Sequence, residues 1–228
     1  MTRRALLLSG GNHPFARTTP VVAGLLDDAG YELTVVGHPD DAVAPLAEEV
    51  PPDLWVCNTL RFRMLAPKYD DTRDEYAYTT TAEFRRSAEH YVRNGGALLA
   101  LHAAPICFDD WSGWGDIVGA AWNWERSSHP PLGPMEVRIV SDHPITAGVE
   151  DFTLTDEPYR HMDMAGDVEP LAVSASEGED HPMLWTRSID EGAVVTSTLG
   201  HGPESFGHPA HQRILRQAIE LLTRDQVS

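Results

Sequence analysis

Short apolar runs alternate with amphipathic stretches through the first half of the chain, the pattern of a parallel sheet wrapped by helices. Residues 5–8 are wholly apolar, end in Ser9-Gly10-Gly11 and predict a first strand. Thr18 and Thr19 ahead of Pro20 predict a helix start, because a hydroxyl can cap free amides and proline fits the first turn. Val21, Val22, Leu25, Leu26 and Ala29 then make one apolar face, and Gly30 ends it. Residues 33–36 and 54–57 predict the second and third strands. A long polar stretch, 58–78, follows. Thr80 and Glu83 have the spacing of a capping box, with Phe84, Ala88, Tyr91 and Val92 as the apolar face behind them. Residues 97–101 are apolar throughout, which predicts a central fourth strand covered on both sides.

Beyond Leu101 the pattern changes. Residues 102–134 hold four of the six tryptophans and lack a strong period. Residues 135–140, 152–154, 168–174, 183–186 and 193–198 read as strands, some of them antiparallel. Ile214, Leu215, Ala218, Ile219 and Leu222 mark a last helix. No linker, repeat or low-complexity tract divides the chain, so the expectation is one α/β domain over 1–228 with an embellished, β-rich second half.

Length and charge narrow the function. A chain of 228 residues can bury a full core without disulfides or structural metal. Seventeen Lys+Arg against 35 Asp+Glu leave a formal charge of −18, which disfavours nucleic acid and anionic membrane as partners. No apolar run approaches the ~20 residues of a membrane span, and the four apolar residues after Arg4 are too few for a secretory signal. Cys57 and Cys107 have no metal-type spacing. A cytoplasmic protein with reduced thiols is expected.

Ligands of open α/β sheets bind beyond the carboxyl ends of the strands, so residues there are the candidates. The segment from Ser9 to Phe15 carries Gly10, Gly11, Asn12 and His13, but neither a Walker A motif nor GxGxxG. His102 directly follows the fourth strand, where a nucleophile elbow would show Ser or Cys; imidazole suits proton transfer or metal ligation better. Cys107 sits between Ile106 and Phe108 and reads as a packed thiol. In the second half, Asp156-Glu157-Pro158-Tyr159 suits general-base and hydroxyl-binding roles, and Gly200-His201-Gly202 exposes an imidazole. His129 is a further polar candidate. Asp142-His143-Pro144 reads as a structural turn, and His208 and His211 as surface or capping residues. No HxH or HExxH pair is present, so a divalent metal such as zinc, held by distant histidines plus Glu157, stays an alternative to metal-free chemistry.

Taken in order, Gly10-Gly11-Asn12-His13-Pro14-Phe15, the run from Gly95 to Ala104, Trp114 with Val118-Gly119-Ala120-Ala121-Trp122, His143-Pro144-Ile145-Thr146, Asp156-Glu157-Pro158-Tyr159, residues 182–187 and Leu199-Gly200-His201 resemble the ThuA-like trehalose-utilisation family over nearly the whole chain. The resemblance implies a flavodoxin-like, class I glutamine amidotransferase-like three-layer sandwich with a mainly parallel sheet. It also implies a role in the catabolism of sugars such as 3-keto-disaccharides derived from trehalose. The family's recurrent positions fall on Asn12, His13, His102, Glu157, Tyr159 and His201. His102 stands where the amidotransferases carry cysteine, so glutamine hydrolysis is not expected. The stretch 60–78 matches no motif of the family.

The expectation is therefore an enzyme acting on a keto-sugar or glycoside by acid–base chemistry, with His102, Glu157 and His201 catalytic. Gly11, Asn12, His13, Phe15, Trp111, Trp122, His129 and Tyr159 would bind the sugar, with tryptophan faces against C–H surfaces and polar groups on hydroxyls. A non-catalytic sugar-binding or assembly protein using the same cleft is the alternative. A homodimer is compatible with the edge strands and the aromatic middle.

Overall fold

The computed structural model describes residues 2–223. Eleven strands occupy β1 (Arg3–Gly11), β2 (Tyr31–Val36), β3 (Leu54–Leu60), β4 (Ala97–Leu101), β5 (Ala120–Ala121), β6 (Gly133–Ile139), β7 (Phe152–Asp156), β8 (Asp163–Met164), β9 (Pro170–Ser176), β10 (Glu179–Ile189) and β11 (Gly192–Ser197). Among the described residues, seven α-helices occupy α1 (Phe15–Asp28), α2 (Val43–Leu46), α3 (Asp70–Tyr76), α4 (Ala82–Arg93), α5 (Ser112–Val118), α6 (Pro203–Phe206) and α7 (Pro209–Leu222).

Nine strands form one sheet in the order β2-β1-β3-β4-β11-β10-β9-β6-β7, while β5 and β8 pair separately. The first five are mutually parallel, and β11 closes on β4 with Ala193 opposite Ala97 and Ser197 opposite Leu101. Each later neighbour is antiparallel to the one before it. Two reversals bring β9, and two more β7, back to the direction of the parallel set. The ends of β1, β3, β4, β11 and β7 therefore share one edge of the sheet.

β4 shows why the sheet sits between two helical layers. Ala97, Leu99 and Leu101 belong to the core under α1 and α7, while Leu98 and Ala100 belong to the core under α4 and α5. A strand buried on both faces needs no polar alternation, as its sequence has none. In the second layer Trp55, Phe84, Trp111 and Trp114 interlock, and the Trp114 indole N–H donates to the Ala104 carbonyl at 2.8 Å.

Three local expectations are corrected. The first helix starts at Phe15, with Pro20 inside it, because Thr18 is buried and the Thr19 hydroxyl meets Ser9 Oγ at 2.7 Å instead of capping a helix. The cap of α4 is Thr81, which accepts from the Phe84 amide, whereas Thr80 donates to Asp110 and Glu83 pairs with Arg86. His211 is fully buried, stacked on Phe206 with its Nδ1 on the Ser205 carbonyl, so it is a core residue. The reading of 142–144 as a turn agrees with the structure: His143 caps a short 3-10 turn.

Candidate active site

The shared strand edge gathers the polar candidates into one place. The chain leaves β4 at His102, which adopts φ +45°, left-handed backbone that a non-glycine side chain adopts at a cost of about 1–3 kcal/mol. Its amide donates to the Ser197 carbonyl at 2.7 Å, and its ring Nδ1 lies 2.9 Å from the Thr198 carbonyl. A carbonyl only accepts, so in the neutral ring the proton is on Nδ1 and the Nε2 lone pair is free for other partners. Two groups face that nitrogen: the Tyr159 hydroxyl at 3.1 Å and His13 Nε2 at 3.2 Å.

His13 arrives from the β1–α1 turn. Gly11 holds φ +114° there, and a Cβ on it would lie 2.1 Å from the Leu60 carbonyl oxygen, so glycine is needed for β1 and β3 to part at this point. The Asn12 amide donates to that same carbonyl. Phe15 is buried beside the His13 ring, with centroids 5.5 Å apart. Gly11, Asn12 and Phe15 thus shape the turn, while His13 lines the cleft.

The acid end of the site is built by β7. Its last residue, Asp156, is buried and accepts from the backbone amides of Glu157 (2.9 Å), Gly200 (2.7 Å) and His201 (3.2 Å), and from the Ser205 hydroxyl. One carboxylate thus ties β7 to the loop after β11. The next residue, Glu157, is also buried, with one oxygen 2.9 Å from His201 Nδ1 and the other 3.4 Å from His129 Nδ1.

Electrostatics differ sharply among the histidines. Burial, reinforced by His102, His201 and His129, pushes His13 down to about 2. His102 is lowered too, chiefly by burial. His201 moves the other way, raised by its contact with Glu157. Burial lifts the Tyr159 phenol well above its ordinary value, so it remains a donor. Two neutral imidazoles therefore sit beside one that protonates readily, an arrangement able both to accept and to deliver a proton.

His13, His129, Glu157, Tyr159 and His201 line one side of a cleft of about 340 Å³, and His102 lies buried behind them, against His13 and Tyr159. The other side is aromatic. Phe62 stacks on Trp124 with centroids 5.1 Å apart and planes 27° apart, and Tyr69 meets Phe62 edge-on at 5.2 Å. Trp122 joins the two sides, edge-on to Tyr159 at 5.3 Å and 6.1 Å from His129. A slightly larger groove, about 390 Å³, lies at the opposite edge between Glu48 and Gly96 and holds none of the candidates.

Of the residues nominated from sequence, His13, His102, Glu157, Tyr159, His201, His129 and Trp122 come together here. Trp111 does not: it is 9% exposed and packs against Phe84 and Trp114 in the core. Phe62, Lys68 and Tyr69 were missed, and Trp124, one of the tryptophans of 102–134 that could offer a sugar its face, joins them at the cleft. The first three belong to the unassigned stretch after β3, and the signal for them was available, since aromatics follow a strand's carboxyl end there. Asp156 was grouped with Glu157 as a functional acid, and its observed contacts make it an anchor.

Among the described residues, two groups of side chains have ligand atoms within 4.8 Å of one another: His13, His102, Glu157 and His201 at the cleft wall, and His161, Glu179 and His181 near the β9–β10 turn. No described helix is long and apolar enough to cross a membrane.

Comparison with known proteins agrees with this architecture. A ThuA-like protein from Parabacteroides merdae superposes with a TM-score of 0.77 at 18% identity, over 99% of this chain and 91% of that one. A ThuA-like protein from Bacteroides uniformis gives 0.70 at 18% identity, over 96% and 91%. A cytoplasmic protein from Salmonella typhimurium gives 0.62 at 11%, over 96% and 98%. Among curated protein sequences, none matches the chain. The family model for ThuA, described as trehalose utilisation, matches residues 7–221, and the chain belongs to that family.

Proposed function

We propose that this protein is an enzyme of sugar catabolism that acts on a keto-sugar or keto-disaccharide by proton transfer in the cleft. The family carries the sugar-related role. The finer reading rests on one observation, the convergence of His13, His102, Glu157 and His201 opposite an aromatic wall. Aromatic faces suit the C–H surfaces of a pyranose, and a small number of polar groups suits its hydroxyls. A carbonyl on the ring acidifies the C–H next to it. The Glu157–His201 pair is the proton acceptor of this reading, and the Tyr159 O–H and the neutral His13 stabilise the oxygen that gains charge, with His102, its ring proton held by the Thr198 carbonyl, positioning both. Exchange, isomerisation and elimination of a neighbouring glycosidic oxygen all begin with that step.

The test is hydrogen–deuterium exchange next to the carbonyl of a 3-keto-disaccharide, followed by NMR in deuterated buffer together with product formation. Glu157→Gln and His201→Ala are expected to slow exchange by about 10²–10⁴-fold, the usual worth of a general base. Saturable binding with neither exchange nor product would replace the enzyme by a sugar-binding protein.

A further inference from the structure

The spacing inside the histidine cluster is that of ligands around a shared ion. His201 Nδ1 lies 2.9 Å from a Glu157 oxygen, yet it is buried without an aligned hydrogen bond. His13 and His102 present Nε2 to Nε2 at 3.2 Å. The Thr198 carbonyl holds the proton of His102 on Nδ1 and turns its Nε2 lone pair to the cluster, the outer hydrogen bond that orients metal-ligating imidazoles. Around a tetrahedral zinc with Zn–N near 2.0–2.1 Å, neighbouring ligand atoms stand roughly 3.3 Å apart. Both close contacts are near that value, and all four ligand atoms lie within 4.8 Å of one another.

We propose that His13, His102, His201 and Glu157 form a binding site for a divalent first-row cation, zinc foremost. Three borderline imidazole donors beside a single hard carboxylate suit zinc and its neighbours and suit magnesium or calcium, which take mostly oxygen ligands, poorly. The four come from three separate strand ends and one turn, so the folded chain assembles the site before the ion arrives. An ion would take the His102 lone pair now shared with Tyr159 and free the Tyr159 hydroxyl to face the cleft. It would also engage Glu157, leaving His129 as the unligated imidazole of the cleft. This proposal does not depend on the keto-sugar reading; with an ion bound, Glu157 and His201 are ligands and the proton acceptor of that reading passes to His129.

The experiment uses the full chain, stripped with chelator and titrated calorimetrically with zinc, then with cobalt to read the visible absorption of a four-coordinate ion. One equivalent per chain is expected. His13→Ala and His201→Ala should each weaken binding by more than ~100-fold, the upper end for losing an outer-shell partner alone. Near-ultraviolet circular dichroism checks that both variants are folded. Tyr159→Phe should bind as well as the parent, because it removes only a competitor for the His102 lone pair. His161→Ala, which breaks the group near the β9–β10 turn, should also leave binding unchanged. No binding, binding insensitive to His13→Ala and His201→Ala, or binding lost in His161→Ala would each overturn the proposal. The titration contains no sugar, so a protein that binds zinc but never exchanges a keto-sugar proton keeps this site and loses the proposed reaction.

Discussion

His102 Nδ1 and the Thr198 carbonyl oxygen lie 2.9 Å apart, although 95 residues separate them in the chain. The contact exists because β11 pairs in parallel with β4 and runs out beside it, so the residue after one strand is held by the backbone after the other. This single bond sets the tautomer of the ring that faces His13 and Tyr159.

Backbone conformation and side-chain role at residue 102 are separable. Asn enters left-handed backbone readily and β-branched residues resist it. His102→Asn is therefore expected to keep the fold and lose exchange activity, whereas His102→Val should unfold about 1–3 kcal/mol more easily than His102→Asn. Paired denaturant titrations and exchange assays check both halves, and equal stability of the two variants would contradict the strain argument.

Asp156 makes its contribution through other residues. Asn at this position keeps the size but offers one acceptor oxygen to several donors, and its own N–H groups would face them. Losing charged hydrogen bonds and leaving buried amides unpaired should cost roughly 2–4 kcal/mol in urea unfolding. The loop carrying His201 should loosen with it. A rise in KM for the keto-sugar that exceeds the fall in kcat is the signature expected of a positioning residue.

The tryptophans divide by exposure. Trp111→Ala should destabilise by about 3–5 kcal/mol, as removal of a buried aromatic does, and leave sugar affinity in the surviving folded protein unchanged. Trp124 is 46% exposed and stacked on Phe62 at the cleft. Trp124→Ala should cost under ~1 kcal/mol of stability but weaken sugar binding, measured by quenching of tryptophan fluorescence. The opposite pattern would return Trp111 to the site.

His211 predicts an acid limb in stability. Burial pushes its pKa down to about 4, whereas an unfolded histidine titrates near 6.5. Between those values the unfolded chain binds the extra proton, so its share of stability is complete above about pH 6.5 and is lost as pH falls toward 4, about 3 kcal/mol in all. His211→Phe gives up the bond to the Ser205 carbonyl and starts less stable at pH 7. Its stability should then fall less steeply than the parent's between pH 6.5 and 4, which urea midpoints at several pH values will show. Parallel curves would contradict a neutral, buried His211.

Period and punctuation in the sequence determined most of the layer architecture. Apolar runs such as 97–101 and spaced faces such as Ile214, Leu215, Ala218 and Ile219 report burial directly, because each element must hide one face or both. Candidates at strand ends were legible for the same reason: Leu101-His102 and Asp156-Glu157 each place polar residues where an apolar run stops. Tertiary structure alone decided which strand ends meet. The antiparallel excursion through β10, β9 and β6 returns β7 to the parallel direction and sets Glu157 against His201, and no local pattern records those reversals. Short-range signals also misled where a side chain had a distant partner, as when Thr19 bonded Ser9 and Thr80 bonded Asp110 instead of capping helices. Trp111 and Trp122 look alike in sequence, since a tryptophan's role depends on what the fold packs against it. The Thr198 carbonyl that orients His102 is a backbone atom, which every residue has and no sequence distinguishes.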